Sequence, residues 1–236
     1  MFKRLPIEIK VKIDRTVYNR RRRNLTEKVD ELRQLIAKQI TIDNSYHIVD
    51  SMPLEVCKLS RSKRSKICQD TTGSEPDYGY CATQKTHYFG YKFHAVCTTS
   101  GVFQAFDITK ASLHDIHYLE DVKDRFSDCV LIGDKGYLSR TYQRDLFETR
   151  AIKLETPMRH NQTKPKLFHP IFRRARKRIE TLYSQLCDQF MIRRNYAKSF
   201  TGFATTIVAK ITALTLIQLF NKREGNNINN LKIVVA

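Results

Sequence analysis

The 236-residue chain predicts an α/β fold: a mixed sheet flanked by helices. Three observations carry that expectation. Short apolar or β-branched runs recur at residues 46–50, 129–132 and 151–154. Two further runs, 89–97 and 102–108, are joined by the turn Thr99-Ser100-Gly101 and read as an antiparallel hairpin. Stretches with helical apolar spacing lie between these strands, giving the order strand, hairpin, helix, strand, helix, strand, long helix.

The elements follow in turn. Residues 1–42 read as a short basic helical segment, too small to bury a core of its own. In it Asn24 and Glu27 form a capping pair, and Val29, Leu32, Leu35, Ile36 and Ile40 share one face. The first strand ends at Asp50. Residues 57–86 read as a loop that opens with Lys58, Arg61, Lys63, Arg64 and Lys66. On the first hairpin strand Tyr91, Phe93 and Ala95 alternate with Lys92 and His94, so its faces differ.

Ser112 is expected to cap a helix with Leu113, Ile116, Leu119 and Val122 inward. The strand at 129–132 runs into Gly133-Asp134. Residues 140–149 read as a helix, and 157–170, with three prolines, as a loop. A long helix begins near Ile171 and passes Glu180. Further on, Phe203, Ile207, Ile211, Leu214 and Ile217 recur at helical spacing. Thr205, Thr206, Lys210, Thr212, Thr215 and Gln218 interrupt any run of ~20 apolar residues, so a core helix is expected rather than a membrane span. Three regions result: 1–42, an α/β domain at 43–225, and an Asn-rich flexible tail at 226–236.

Composition narrows the function. Lys and Arg total 42 against 24 Asp and Glu, a net charge of +18 that favours a polyanionic partner, most often nucleic acid. Hydrophobic residues at 41% supply a core and exclude global disorder. The six cysteines form no CxxC pair, and the gaps among Cys57, Cys68, Cys81 and His87 are not those of zinc ribbons or fingers. Reduced thiols in the cytoplasm are expected. Met1–Arg4 lead into Leu-Pro-Ile-Glu rather than an apolar secretory stretch. No Walker-type glycine loop, GxSxG or HExxH occurs.

Three acids stand out. Asp50 and Asp134 each follow an apolar strand, where side chains project into a crevice. Glu180 shares a helix face with Arg173, Arg176 and Ser184. Alone, each aspartate reads as a turn residue and Glu180 as an ion-pair partner of Arg176. Together they are candidate ligands for Mg²⁺ or Mn²⁺, and phosphodiester chemistry uses two such ions ~3.5–4 Å apart, bridged by a carboxylate. Lys135, Arg173 and Arg176 are candidate phosphate contacts. So are two basic runs, Arg20, Arg21, Arg22 and Arg23, and the loop cations Lys58, Arg61, Lys63, Arg64 and Lys66. His114 and Asp115 read as a capping turn. Tyr78 and Tyr80, in the same loop, are either packing residues or stacking surfaces for an unpaired base.

Five motifs occur in one order: Ile48-Val-Asp-Ser51, Phe89-Gly-Tyr-Lys-Phe-His94, Ser112-Leu-His-Asp115, Ile132-Gly-Asp-Lys-Gly-Tyr137 and Arg176-Lys-Arg-Ile-Glu180. In this the chain resembles the DDE transposases of bacterial insertion sequences, most nearly the insertion sequence 982 group. The resemblance implies a ribonuclease H-like catalytic domain over 43–225, with Asp50, Asp134 and Glu180 as its acidic triad and two Mg²⁺ ions. It also implies double-stranded DNA as partner, both element ends and target, with cleavage and strand transfer in the bacterial cytoplasm. A homodimer follows by analogy with paired ends. Of the Tyr, Arg and Lys that related groups carry around the Glu, Arg176 matches the Arg. Arg173 and Cys187 occupy the other two positions. The N-terminal region is shorter than in such transposases and is expected to be an incomplete DNA-binding region. The rival expectations are a different ribonuclease H-like nuclease, or a shortened DNA-binding remnant or regulator that does not transpose.

Overall fold

A computed structural model describes residues 5–70, 72–158 and 167–231. Its centre is strand β1 (Tyr46–Cys57). Antiparallel to β1 runs β3 (Thr86–Thr98), with Asp50 opposite Ala95. β3 in turn pairs antiparallel with β2 (Asp77–Cys81) through its first residues and with β4 (Phe103–Lys110) further along. On the other side of β1 lies the parallel strand β5 (Val130–Ile132), Ile48 facing Ile132, and beyond it the parallel β6 (Lys153–Glu155). The sheet is therefore mixed, as the sequence predicts.

Helices cover both faces. Successive strand residues point to opposite sides, so Ile48 and Val49, both fully buried, enter different cores. Ile48, Met52, Phe93 and Phe103 pack beneath α6 (Pro170–Asp188) and α7 (Phe200–Arg223). Val49, Val96 and Leu131 pack against α4 (Tyr118–Arg125) and α5 (Arg140–Arg150), through Leu119, Val122 and Leu146. Each fully buried Ile or Leu here contributes roughly 2 kcal/mol of hydrophobic stabilisation. Asp50 has the parity of Ile48 and Met52, and so lies on the α6 side.

Helix α7 is long and apolar enough to cross a membrane by length and composition. In the fold it is apolar on most sides because two partners take it. Phe203, Ile207, Ile211 and Leu214 join the sheet core, while Leu216 and Leu219 meet Ile36, Ala37 and Ile40 of α3 (Thr26–Ile40). The expected core helix is thus observed. Residues 227–231 fold back as well: Leu231 is buried in the α6–α7 core, and Asn229 donates to Ser100 O at 2.9 Å.

Several local expectations need correction. β1 does not stop at Asp50 but continues to Cys57, because pairing with β3 persists through Pro53. Residues 77–81, expected as loop, form β2. Its Tyr78 hydroxyl lies 2.8 Å from Ser62 Oγ, and its ring sits 5.1 Å from that of Phe89, which assigns it to packing. The basic stretch Leu59–Arg64 winds into a 3-10 turn instead of a loose loop. The arginine run lies in α2 (Arg15–Asn24), whose first N–H groups are capped by the Asp14 carboxylate at 2.6 and 2.8 Å. Asn24 thus closes α2 and caps nothing; α3 starts after Leu25 with no side-chain cap. Before α2 lies the short α1 (Ile7–Lys12).

On α3, Leu32 and Leu35 are exposed while Arg33 is buried. Its guanidinium pairs with Asp30 at 2.6 Å and donates to Phe103 O at 2.9 Å, fastening α3 to β4. Ser112 does not cap α4. The His114 side chain accepts from Ile116 N and opens a 3-10 turn that leads into α4, leaving Leu113 exposed. Residues 159–166 of the expected loop at 157–170 lie outside the described residues.

Candidate active site

Two of the three predicted acids meet at adjacent parallel strands. Asp50 sits in mid-β1, its Oδ1 accepting from Ser51 N at 2.8 Å. Asp134 directly follows Gly133 at the end of β5, which places it on the next strand over. Its Oδ1 accepts from Gly136 N at 2.7 Å, so the carboxylate caps the 3-10 turn Lys135–Tyr137 and its position is fixed by the backbone. Gly136 is required here. A Cβ at that position would lie 2.9 Å from Asp134 Oδ1 and 3.5 Å from Asp115 Oδ2.

The same turn brings in a residue that the sequence marks only as the end of a motif and part of a capping turn. Asp115, expected in a capping turn, places a third carboxylate beside Gly136 and Asp134. Lys92 holds it, Nζ lying 3.0 Å from Asp115 Oδ1 in an ion pair whose geometry is not that of a hydrogen bond, while donating to Leu113 O at 2.6 Å. The signal available in the sequence is the parity of Lys92, which points away from Phe93 toward the α4 face.

Electrostatics tie the group together. Burial is the main cause that lifts the Asp50 carboxyl from its ordinary range to about 7. The charges of Asp134 and Asp115 add to the rise, and the Ser51 N–H and Arg176 oppose it. Tyr137, fully buried, has a hydroxyl without a hydrogen-bond partner among the described residues. Burial, then the charges of Asp115, Asp50 and Asp134, push its ionisation well above the usual phenol range.

Helix α6 closes the site from above. Tyr183 donates its hydroxyl to Asp50 O at 2.7 Å. Two turns earlier, Arg176 Nη2 stands 4.0 Å from Asp50 Oδ2, and Arg176 Nε is buried without a hydrogen-bond partner among the described residues. Glu180 lies on this helix one turn after Arg176 but is exposed, and makes no hydrogen bond or ion pair among the described residues. No group of three His, Cys, Asp or Glu side chains forms a ready-made metal cluster among the described residues. The fold thus joins Asp50, Asp134 and Arg176, and leaves Glu180 at the rim of the same helix.

The other predicted residues spread over several surfaces. Lys135 is exposed beside Asp134, and Arg173 is exposed on α6. Lys58, Arg61, Lys63, Arg64 and Lys66 are exposed around the turn after β1. Arg20, Arg21 and Arg23 are exposed on α2, with Arg22 half-buried.

No curated protein and no solved structure matches the chain. A family model does, the transposase DDE domain, over residues 44–216. That span takes in every strand of the sheet, Asp50, Asp115, Asp134 and all of α6. The chain belongs to the transposase DDE domain family.

Proposed function

We propose that this transposase cleaves and joins DNA strands at insertion-sequence ends, of the insertion sequence 982 type, on a ribonuclease H-like fold. The single observation that carries the reading is the approach of Asp50 and Asp134 on neighbouring parallel strands. A half-buried carboxyl raised to about 7 by loss of water around it and by neighbouring carboxylates is a site whose charge a cation relieves. Carboxylate oxygens are the donors that Mg²⁺ and Mn²⁺ take, so the residues fit the metal. Asp50 and Asp134 would hold it, with Glu180 of α6 as the third acid. Bound divalent ions supply an activated water or hydroxyl nucleophile and stabilise the leaving oxygen of the phosphodiester.

The chain's own groups do the rest. The turn at Gly136 fixes Asp134 through a backbone N–H, so the carboxylate reaches the substrate already oriented. Arg176 and Lys135 flank the two aspartates with cations, placed to take a phosphate and offset its charge. Tyr183 holds α6, and with it Arg176 and Glu180, to the strand that bears Asp50. The surplus of +18 draws DNA, and the cations at 20–23, 58–66, 135 and 173 contact its backbone. Two copies of the chain pair the two element ends, in the bacterial cytoplasm.

One observation favours a second reading. Glu180 stands outside the carboxylate group, as it would in a DNA-binding regulator or remnant that does not transpose. Cleavage of a duplex carrying the element's terminal repeat, in Mg²⁺ or Mn²⁺, decides between them. Wild type should cleave, and Asp134→Ala should bind the duplex and leave it intact. Equal cleavage by both proteins removes Asp134 from the mechanism; binding without cleavage by wild type establishes the regulator.

A further inference from the structure

A groove of about 890 Å³ lies between α2, residues 194–199 and the first turns of α7. It shares no residue with the aspartate site. Arg15, Arg22, Arg23, Arg194 and Lys198 line it, drawn from two separate parts of the chain. None of the five is in an ion pair among the described residues. Arg22 Nη2 is buried there with no hydrogen-bond partner among the described residues. The one acid lining the groove, Asp70, is engaged by the N–H of Phe200 at 3.1 Å.

The walls are built to stay. Thr26 Oγ1 on α3 meets Thr205 Oγ1 on α7 at 2.8 Å just beyond the end of α2. On the opposite wall Lys210 donates to Met191 O at 2.7 Å and Arg194 O at 3.2 Å, and holds that segment to α7. Lys210 therefore fixes the groove, while the other five cations face it with the single carboxylate of Asp70 among them. Like charges gathered with so little counter-charge repel, and a folded chain keeps such an arrangement where a polyanion supplies the balance. The chemistry of the lining selects the polyanion's backbone. Guanidinium and ammonium groups suit phosphate oxygens, whereas the single aromatic of the groove, Tyr196, is 87% exposed and encloses no base.

We propose that the groove between α2 and α7 is a second DNA surface, one that takes the phosphodiester backbone of a duplex without reading its sequence. The proposal rests on DNA being the substrate, but not on which residues cut it. The test is the salt dependence of duplex binding in metal-free buffer, with the full chain, for Arg23→Gln/Lys198→Gln against wild type. Both side chains are exposed, and neither makes a side-chain hydrogen bond among the described residues, so the fold is retained. Lys38→Gln/Arg150→Gln, exposed cations away from the groove, removes the same charge as a control.

Removing one cation that neutralises a phosphate should flatten the slope of log binding constant against log salt by about 0.9, so the double groove variant should be flatter by nearly 2. The change should be equal for the terminal repeat and an unrelated duplex, and the control should keep the wild-type slope. An unchanged slope in the groove variant, or an equal flattening in the control, overturns the proposal. Cleavage by wild type is measured separately, so either result can fail while the other stands.

Discussion

The hydroxyl of Tyr183 donates to the backbone carbonyl of Asp50 at 2.7 Å, across 133 residues of chain. This bond anchors α6 over the centre of β1. The anchor matters because α6 also carries Arg176 and Glu180, whose distance from the aspartates is set by how the helix lies. Tyr183→Phe removes the donor and keeps the ring, which packs with Phe93 and Phe103. Loss of one such neutral hydrogen bond should cost about 1 kcal/mol, read as a lower denaturation midpoint with unchanged m-value. Cleavage should fall by more than that stability loss accounts for. A variant that is less stable yet cleaves at the wild-type rate would separate the bond from the site.

Asp50 should be a stability cost that function retains. Its folded pKa, about 7, lies above the ordinary carboxylate value of 3.8, so the folded state holds the proton more tightly than the unfolded chain. Stability from this group is therefore greatest below the lower value and declines as pH rises through 7. Asp50→Asn removes this half-buried charge, and in metal-free buffer at pH 8 the variant should melt above wild type. Mg²⁺ should raise the melting temperature of wild type and leave the variant unmoved, because ligand binding to the folded state stabilises it by mass action. Equal Mg²⁺ shifts in both proteins would place the ion elsewhere.

The strands that bear the two aspartates are legible in the sequence because their residues obey simple rules. Ile48-Val49-Asp50 and Leu131-Ile132-Gly133-Asp134 read as apolar runs ending in an acid, and the fold sets them side by side. Asp115 is not legible. Its local signal is a His-Asp turn, and its place beside Asp134 depends on Lys92, a long-range partner that no local pattern names. Arg33 misleads for the same reason: on the helix wheel it falls beside apolar positions, and only the open carbonyls of Phe103 and Gln104 explain its burial. The strand at 77–81 escapes a local reading because Asp77, Gly79 and Cys81 dilute its β signal, and β3 supplies the pairing that orders it.

Arg33 itself gives the third prediction. Its side chain is 1% exposed, carries a cation 5.0 Å from the ring of Phe106, and bonds two carbonyls of β4. Arg33→Met keeps much of the volume but leaves the Phe103 carbonyl without this donor and Asp30 without its cation. A destabilisation of about 3 kcal/mol is expected. Hydrogen exchange should show α3 opening first, since Arg33 is its tie to the sheet. Loss of protection spread evenly over α3 and β1 would mean that the basic segment and the sheet unfold as one unit.

His47 sets the acid limit of the fold. It is 3% exposed in β1, its ring 4.9 Å from that of Phe126, with Nδ1 lacking a hydrogen-bond partner among the described residues. Burial pulls its pKa down to about 4 from 6.5, and the charge of Asp43 opposes the shift only weakly. A depressed histidine pKa means that the unfolded state takes up the proton first. The stability from neutral His47 is complete above pH 6.5 and is lost as pH falls toward 4, at up to about 1.4 kcal/mol per pH unit. Asp50 pulls the other way over the same fall in pH, so in wild type the two slopes nearly cancel between pH 6.5 and 4. His47→Phe should remove its own slope and leave that of Asp50, so the variant should gain melting temperature as pH falls from 6.5 to 4. A variant with the pH profile of wild type would show that His47 does not titrate on unfolding.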